Sequence, residues 1–135
     1  MNNDYLLDTG VANLVTWADP ATLARLQSQG RSIYLPDIVF GELYFGAFRY
    51  AYLHQSTKFL DAYDRLRQEY QDSIILCDLE TAHIYGANYA ELTAKGQIIQ
   101  QNDCWIAALA RQHGFIVATT DQDLLRVTGI VVEVW

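Results

Sequence analysis

Asp103-Cys-Trp-Ile-Ala-Ala-Leu-Ala-Arg-Gln-His-Gly-Phe-Ile-Val-Ala-Thr-Thr-Asp121 is the stretch from which the rest of the chain is best read. Ile106, Leu109 and Ala110 recur at helical spacing. Gly114 can end that helix, and residues 115–118 form a short apolar run of strand type. A helix feeds a strand, and an acid follows the strand. Outward from this unit the same order recurs. Apolar runs at 5–7, 32–35, 73–76 and 131–134 read as four more strands. Helical spacing separates several of them, at Phe59, Leu60, Tyr63 and Leu66 and at Ala82, Tyr85, Tyr89 and Leu92. Residues 20–30 predict a further helix and 51–56 a corner between helices. Pro36 closes the second strand, Asp78 caps a helix beginning near Leu79, and Gly96 ends it. Strands alternating with helices demand right-handed crossovers and a mostly parallel sheet covered on both faces. The expected fold is α/β: a single-domain α/β/α sandwich over residues 1–135 with a central sheet of about five strands.

Composition agrees with one core, since 135 residues that are 51% hydrophobic and 13% aromatic can bury one. The N-terminal residues show no basic stretch followed by a long apolar run, and no segment is long enough to span a bilayer. A soluble cytoplasmic protein with no membrane partner is expected. Cys77 and Cys104 lie in apolar runs without paired-ligand spacing, which predicts two buried, reduced thiols, no disulfide and no zinc. The net charge of -7 opposes broad adhesion to nucleic acid. That objection weakens if acids gather in a pocket that binds divalent cations, because the ions invert the field a phosphate meets.

Ligands of an open parallel sheet collect beyond the carboxyl ends of its strands. Asp8 directly follows the first strand and Asp121 the fourth. Asp103 opens the helix leading into the fourth strand, and Glu42 is the one charge in Ile38-Val-Phe-Gly-Glu-Leu-Tyr-Phe-Gly46. Each has a plainer reading: a turn residue at Asp8, N-caps at Asp103 and Asp121, a solvated helix residue at Glu42. Together they point to a carboxylate cluster at one sheet edge, with Asp123 either supporting it or facing solvent. Asp78 and Asp37 read as caps. His54, His83 and His113 occupy no metal or triad spacing, and no Gly-rich phosphate loop is present.

Four blocks in order carry a resemblance: Tyr5-Leu-Leu-Asp-Thr-Gly10, Leu35-Pro-Asp-Ile-Val-Phe-Gly-Glu-Leu-Tyr-Phe-Gly46, Asp103-Cys-Trp-Ile-Ala-Ala-Leu-Ala110 and Ala118-Thr-Thr-Asp121. The chain resembles the PIN-domain family and, more narrowly, the VapC-type toxins of toxin–antitoxin modules, from residue 5 to its end. The resemblance implies a metal-dependent endoribonuclease whose acidic positions fall on Asp8, Glu42, Asp103 and Asp121. It also implies supporting hydroxyls at Thr9 and Thr119, a homodimer, and a cognate antitoxin that covers the site, often by inserting an Arg or Lys. The aromatic group Tyr44, Phe45, Phe48, Tyr50 and Tyr52 either packs into the core or offers that contact surface. One departure stands out: many relatives carry Asn where this chain has Gly10, which supplies no side-chain hydrogen bond.

Hard carboxylate oxygens suit Mg²⁺ or Mn²⁺. Asp8, Asp103 and Asp121 would be the metal ligands, direct or through water. Glu42 would hold or orient the attacking water, with one or two ions neutralising charge on the scissile phosphate. RNA contact would fall to local cations, for which Lys58, Arg65 and Arg67 on the middle helix are candidates. A phospho-receiver domain would need an acidic pair after the first strand and a Lys after the fifth. A haloacid-dehalogenase-type phosphatase would need Asp-x-Asp after the first strand, where residue 10 is Gly. Neither fits. A PIN-like module that binds RNA or protein without cutting, or a nuclease of RNA maturation, remains the alternative.

Overall fold

β1 (Tyr5–Leu7) has no exposed residue at all, which places it at the centre of a sheet covered on both faces. In the computed structural model, which describes residues 3–135, five parallel strands run in the order β3-β2-β1-β4-β5. The other strands are β2 (Ile33–Pro36), β3 (Ile74–Ile75), β4 (Ile116–Thr119) and β5 (Val131–Val134). Six helices flank them: α1 (Thr9–Thr16), α2 (Pro20–Gln29), α3 (Asp37–His54), α4 (Lys58–Glu69), α5 (Leu79–Ala94) and α6 (Gln101–His113). The expected α/β/α sandwich is what the chain forms. The first two residues of the expected domain lie outside the described residues.

The register explains why the centre of this sheet matters. Leu6 pairs with Tyr34 of β2 on one side and with Val117 of β4 on the other. Chain order runs one way from β1 through β2 to β3 and the other way through β4 to β5, so the direction of winding switches between β1 and β4. A crevice opens beyond the carboxyl ends of strands at such a switch. Tyr5, Leu6, Leu7, Val117 and Ala118 are fully buried beneath it, at about 1.5–3 kcal/mol for each large apolar side chain. This part of the scaffold is the least able to shift. Tyr5 also ties the chain's end to the sheet: its hydroxyl donates to Glu133 Oε1 at 2.8 Å, and its ring meets Trp135 edge to face with centroids 5.2 Å apart.

The local signals mostly act where the sequence places them. Asp78 caps α5 in a reciprocal box with Thr81, and Gly114 closes α6 in the left-handed region at φ 76°. The third strand is shorter than expected, because residues 71–73 wind into a 3₁₀ turn and Leu76 is exposed. The helix corner falls at the end of the expected 51–56 segment, since α3 continues to His54 and stops on Gln55 in the left-handed region. One expectation fails at the cysteines. Cys104 is buried, but Cys77 at the edge strand is half-exposed, because β3 has only one strand beside it. Both thiols are free, and burial raises them to about 12 and about 11 respectively for Cys77 and Cys104.

Candidate active site

Asp8 sits where β1 becomes α1. Its backbone N–H bonds Ala118 O at 3.0 Å, and its Oδ1 accepts from Val11 N–H at 2.9 Å as the N-cap of the helix. Its Oδ2 accepts from the Thr119 hydroxyl at the end of β4. Asp8 therefore caps α1, where the plainer sequence reading was a turn residue, and its second carboxylate oxygen reaches the end of β4. Burial pushes its pKa above the usual carboxylate range. The Thr119 hydroxyl and the backbone N–H groups of Val11 and Thr120 pull it back, and Asp121 pushes it up again.

Asp103 stands in the first turn of α6, where Gln100, not Asp103, is the N-cap. It is held up to about 6, by burial first and then by Asp8, Glu42, Asp121 and Asp123. Four carboxylates from three places in the chain act on one, and all act in the same direction. Asp121 is exposed and also caps the 3₁₀ turn Gln122–Arg126, accepting from Asp123 N–H at 3.0 Å. Its own N–H is held at 2.9 Å by the hydroxyl of Thr119, which thereby joins Asp8 to Asp121. Glu42 lies in the second turn of α3, half-buried, and accepts from the Thr9 hydroxyl at 2.9 Å. The apolar run around Glu42 overstates its isolation, because Phe45 and Phe48 on the same helix face solvent.

This donor set fits a hard divalent cation. It consists of carboxylate oxygens and supporting hydroxyls, and among the described residues no thiol or imidazole hydrogen-bonds to them. Among the described residues, no group of three or more His, Cys, Asp or Glu side chains is gathered tightly enough to hold an ion as it stands. An open groove of about 430 Å³ runs beside Glu42, lined by Ile38, Gly41, Phe45 and Asn102.

The cations expected to meet RNA lie apart from the carboxylates. Lys58 lies 5.1 Å from the ring centres of both Tyr50 and Phe59. Arg67 acts on the Tyr44 hydroxyl, which donates to Asp64 Oδ1 at 2.6 Å, and Arg65 lines a small groove with Val15, Thr16 and Glu69. None of these three makes a described contact with the carboxylates. The cation that does is Arg126, whose Nη2 lies 3.5 Å from Asp123 Oδ1 while its Nη1 donates to Ile98 O at 3.3 Å. An i, i+3 spacing from Asp123 was the available signal for it. Of the five aromatic residues on α3, Phe45, Phe48 and Tyr52 are exposed while Tyr44 and Tyr50 are half-buried, so the cluster splits between surface and core. His54 and His113 pack at a tilt against Tyr50 and Phe115.

Residue 10 holds a feature with no sequence signal. A Cβ there would stand 2.3 Å from Thr120 Oγ1 and 3.5 Å from Asp8 Oδ1. The space a side chain would take beside Asp8 is already filled, from the far side of the site, by Thr120.

Residues 5–130 match the sequence model of the PIN domain family. Ribonuclease VapC2 of Haemophilus influenzae is 27% identical over 135 residues, covering 97% of each chain. VapC ribonuclease Y4jK of Sinorhizobium fredii is 30% identical over 138 residues, covering 96% of each. Among solved structures, VapBC2 from Rickettsia felis bound to a DNA fragment from their promoter matches with a TM-score of 0.80 at 24% identity, over 97% of this chain and 98% of that one. FitAcB from Neisseria gonorrhoeae matches with a TM-score of 0.74 at 29% identity, over 95% of each chain.

Proposed function

The chain belongs to the PIN domain family, and from that premise we propose that it is a metal-dependent endoribonuclease, the toxin of a VapC-type toxin–antitoxin pair. The observation that carries this reading is the state of Asp103, held to about 6 by its burial and by Asp8, Glu42, Asp121 and Asp123. Asp123 has Arg126 for a partner, but among the described residues no Lys or Arg pairs with Asp8, Glu42, Asp103 or Asp121, and acids forced together in this way leave a place for a cation. The family and the ribonuclease relatives supply the reaction class.

Asp8, Asp103 and Asp121 would hold Mg²⁺ or Mn²⁺. Bound there, the cation supplies positive charge to the scissile phosphate and makes a water more acidic. Asp8 is fixed for this by Val11 and Thr119, so its carboxylate need not reorganise. Thr119 sets Asp121 relative to Asp8, because one hydroxyl serves both residues. Glu42, steadied by Thr9, orients the attacking water. Asp123 keeps Arg126 at the rim, where a guanidinium can meet the RNA backbone. Lys58, Arg65 and Arg67 would extend that contact along α4.

The whole chain acts as one nuclease domain in the cytoplasm, as a homodimer. Its cognate antitoxin covers the site. Phe45, which lines the groove at Glu42, and the exposed Phe48 and Tyr52 further along α3 give that partner an apolar seat. No helix of the described residues is long and apolar enough to cross a membrane.

The test is cleavage of total RNA with Mg²⁺ or Mn²⁺, comparing the natural chain with Asp8→Asn and Asp103→Asn. Metal-dependent fragments lost in both variants are expected. No cleavage by the natural chain would favour a PIN-like module that binds without cutting. Growth arrest on expression, relieved by co-expressing the adjacent reading frame, separates a toxin from an RNA-maturation enzyme.

A further inference from the structure

Gly10 lies in the first turns of α1, and its backbone is not in the left-handed region. The helical glycines Gly41, Gly46 and Gly86 have open space where a Cβ would stand, whereas at Gly10 that space is taken. A Cβ on residue 10 would stand 2.3 Å from Thr120 Oγ1 and 3.4 Å from Thr120 Cβ. A side chain at residue 10 and the Thr120 hydroxyl in this position exclude each other.

What the hydroxyl does there follows from its neighbours. The adjacent Thr119 hydroxyl is committed twice, donating to Asp8 Oδ2 and accepting from Asp121 N–H. Thr120 is exposed, and among the described residues its hydroxyl has no side-chain hydrogen bond. It lies across Gly10, on the side of the turn where Asp8 Oδ1 is 3.5 Å from the same missing Cβ. An uncommitted donor and acceptor beside a buried carboxylate is suited to an oxygen that arrives with the carboxylate's ligand.

We infer that the Thr120 hydroxyl is a positioning group of the site, which uses the space left by Gly10 to hydrogen-bond a hydration water of a divalent cation on Asp8. The inference rests on the metal-nuclease reading and names a residue that reading does not use. Outer groups of this kind orient what a metal carries, and their loss typically costs about 10–100-fold in metal affinity or activity.

The experiment is Mn²⁺ binding to the full chain without RNA, followed by the electron paramagnetic resonance of free Mn²⁺, with metal-free melting as a control on folding. Thr120→Ala is expected to weaken Mn²⁺ about tenfold, and Thr120→Ser, which keeps the hydroxyl, to stay close to the natural chain. Gly10→Ala displaces the hydroxyl and should lose as much as Thr120→Ala. Gly10→Ala with Thr120→Ala should lose no more than either alone, since both remove one interaction. Unchanged affinity in Thr120→Ala overturns the inference. Equal losses in Thr120→Ala and Thr120→Ser overturn it too, because the side chain would then matter only as packing. If the natural chain binds no Mn²⁺ at millimolar concentration, the metal-nuclease reading falls and this inference with it. If it binds Mn²⁺ and only the Thr120 result fails, the parent reading stands.

Discussion

Replacing Asp103 with asparagine should change the pH dependence of folding in a direction the site's electrostatics fix. The carboxyl moves from an ordinary 3.8 to about 6 in the folded protein. At 1.36 kcal/mol per unit, that is about 3 kcal/mol at most. Asp103 is only half-buried, so solvent screening brings the figure nearer about 1–1.5 kcal/mol. The folded state binds this proton more tightly than the unfolded state. Its contribution to stability is full below pH 3.8, falls as pH rises through 6, and is gone above that. Asparagine has no charge to lose. With metal removed by chelation, the difference in melting temperature between Asp103→Asn and the natural chain should rise by about 3–6 °C from pH 4 to pH 7.5, for a domain of this size. Asp8 is raised for the same first cause, burial, so the variant keeps part of the pH slope. Differential scanning fluorimetry in buffers matched for ionic strength measures the difference. A difference that stays flat across the window would refute the claim that the four other carboxylates and burial hold Asp103 in this state.

Millimolar Mn²⁺ or Mg²⁺ should raise the melting temperature of the natural chain, by about 2.7 kcal/mol of stability at a hundredfold excess over Kd. Asp8→Asn and Asp103→Asn should lose that rise, and a natural chain indifferent to both metals would remove the case for the site. Thr9→Val takes the hydroxyl from Glu42 and should lower kcat about tenfold with little change in melting temperature, as single-turnover cleavage would register. Arg126→Ala should weaken binding of single-stranded RNA and flatten the plot of log K against log salt by about 0.7, measured in the Asp103→Asn background to prevent cleavage. An unaltered salt slope would place Arg126 outside the RNA path.

The alternation of strand and helix was legible because each element announces itself within a few residues. Residues 5–7 are three apolar residues ended by an acid, and residues 115–118 follow a glycine that stops a helix. Even the site was partly legible, since acids just past strand ends have one edge of a parallel sheet to occupy. What sequence could not supply was pairing in space. The hydroxyl shared by Asp8 and Asp121 joins Thr119 to residues on two elements, and only the adjacency of β1 and β4 makes that possible. The oddity of Glu42 was overstated for a related reason: hydrophobicity along α3 gives no warning that Phe45, Phe48 and Tyr52 face outward. Period alone does not distinguish a buried aromatic stripe from an exposed one.

The net charge of -7 can now be placed. A polyanion is repelled by a chain like this unless its charge is concentrated where a divalent ion reverses it. The acids that raise Asp103 are gathered from three separate places in the chain, whereas several of the cations are occupied elsewhere, against rings at Lys58 and Arg25 and against Asn88 at Arg111. Affinity for RNA should therefore depend on the metal more steeply than on any single arginine. Removing the metal should weaken RNA binding by the natural chain more than by Asp103→Asn, because the variant holds little metal to remove. Fluorescence anisotropy with a single-stranded RNA and Ca²⁺ in place of Mg²⁺ compares the two. Equal losses in both proteins would mean that the carboxylates do not mediate the dependence.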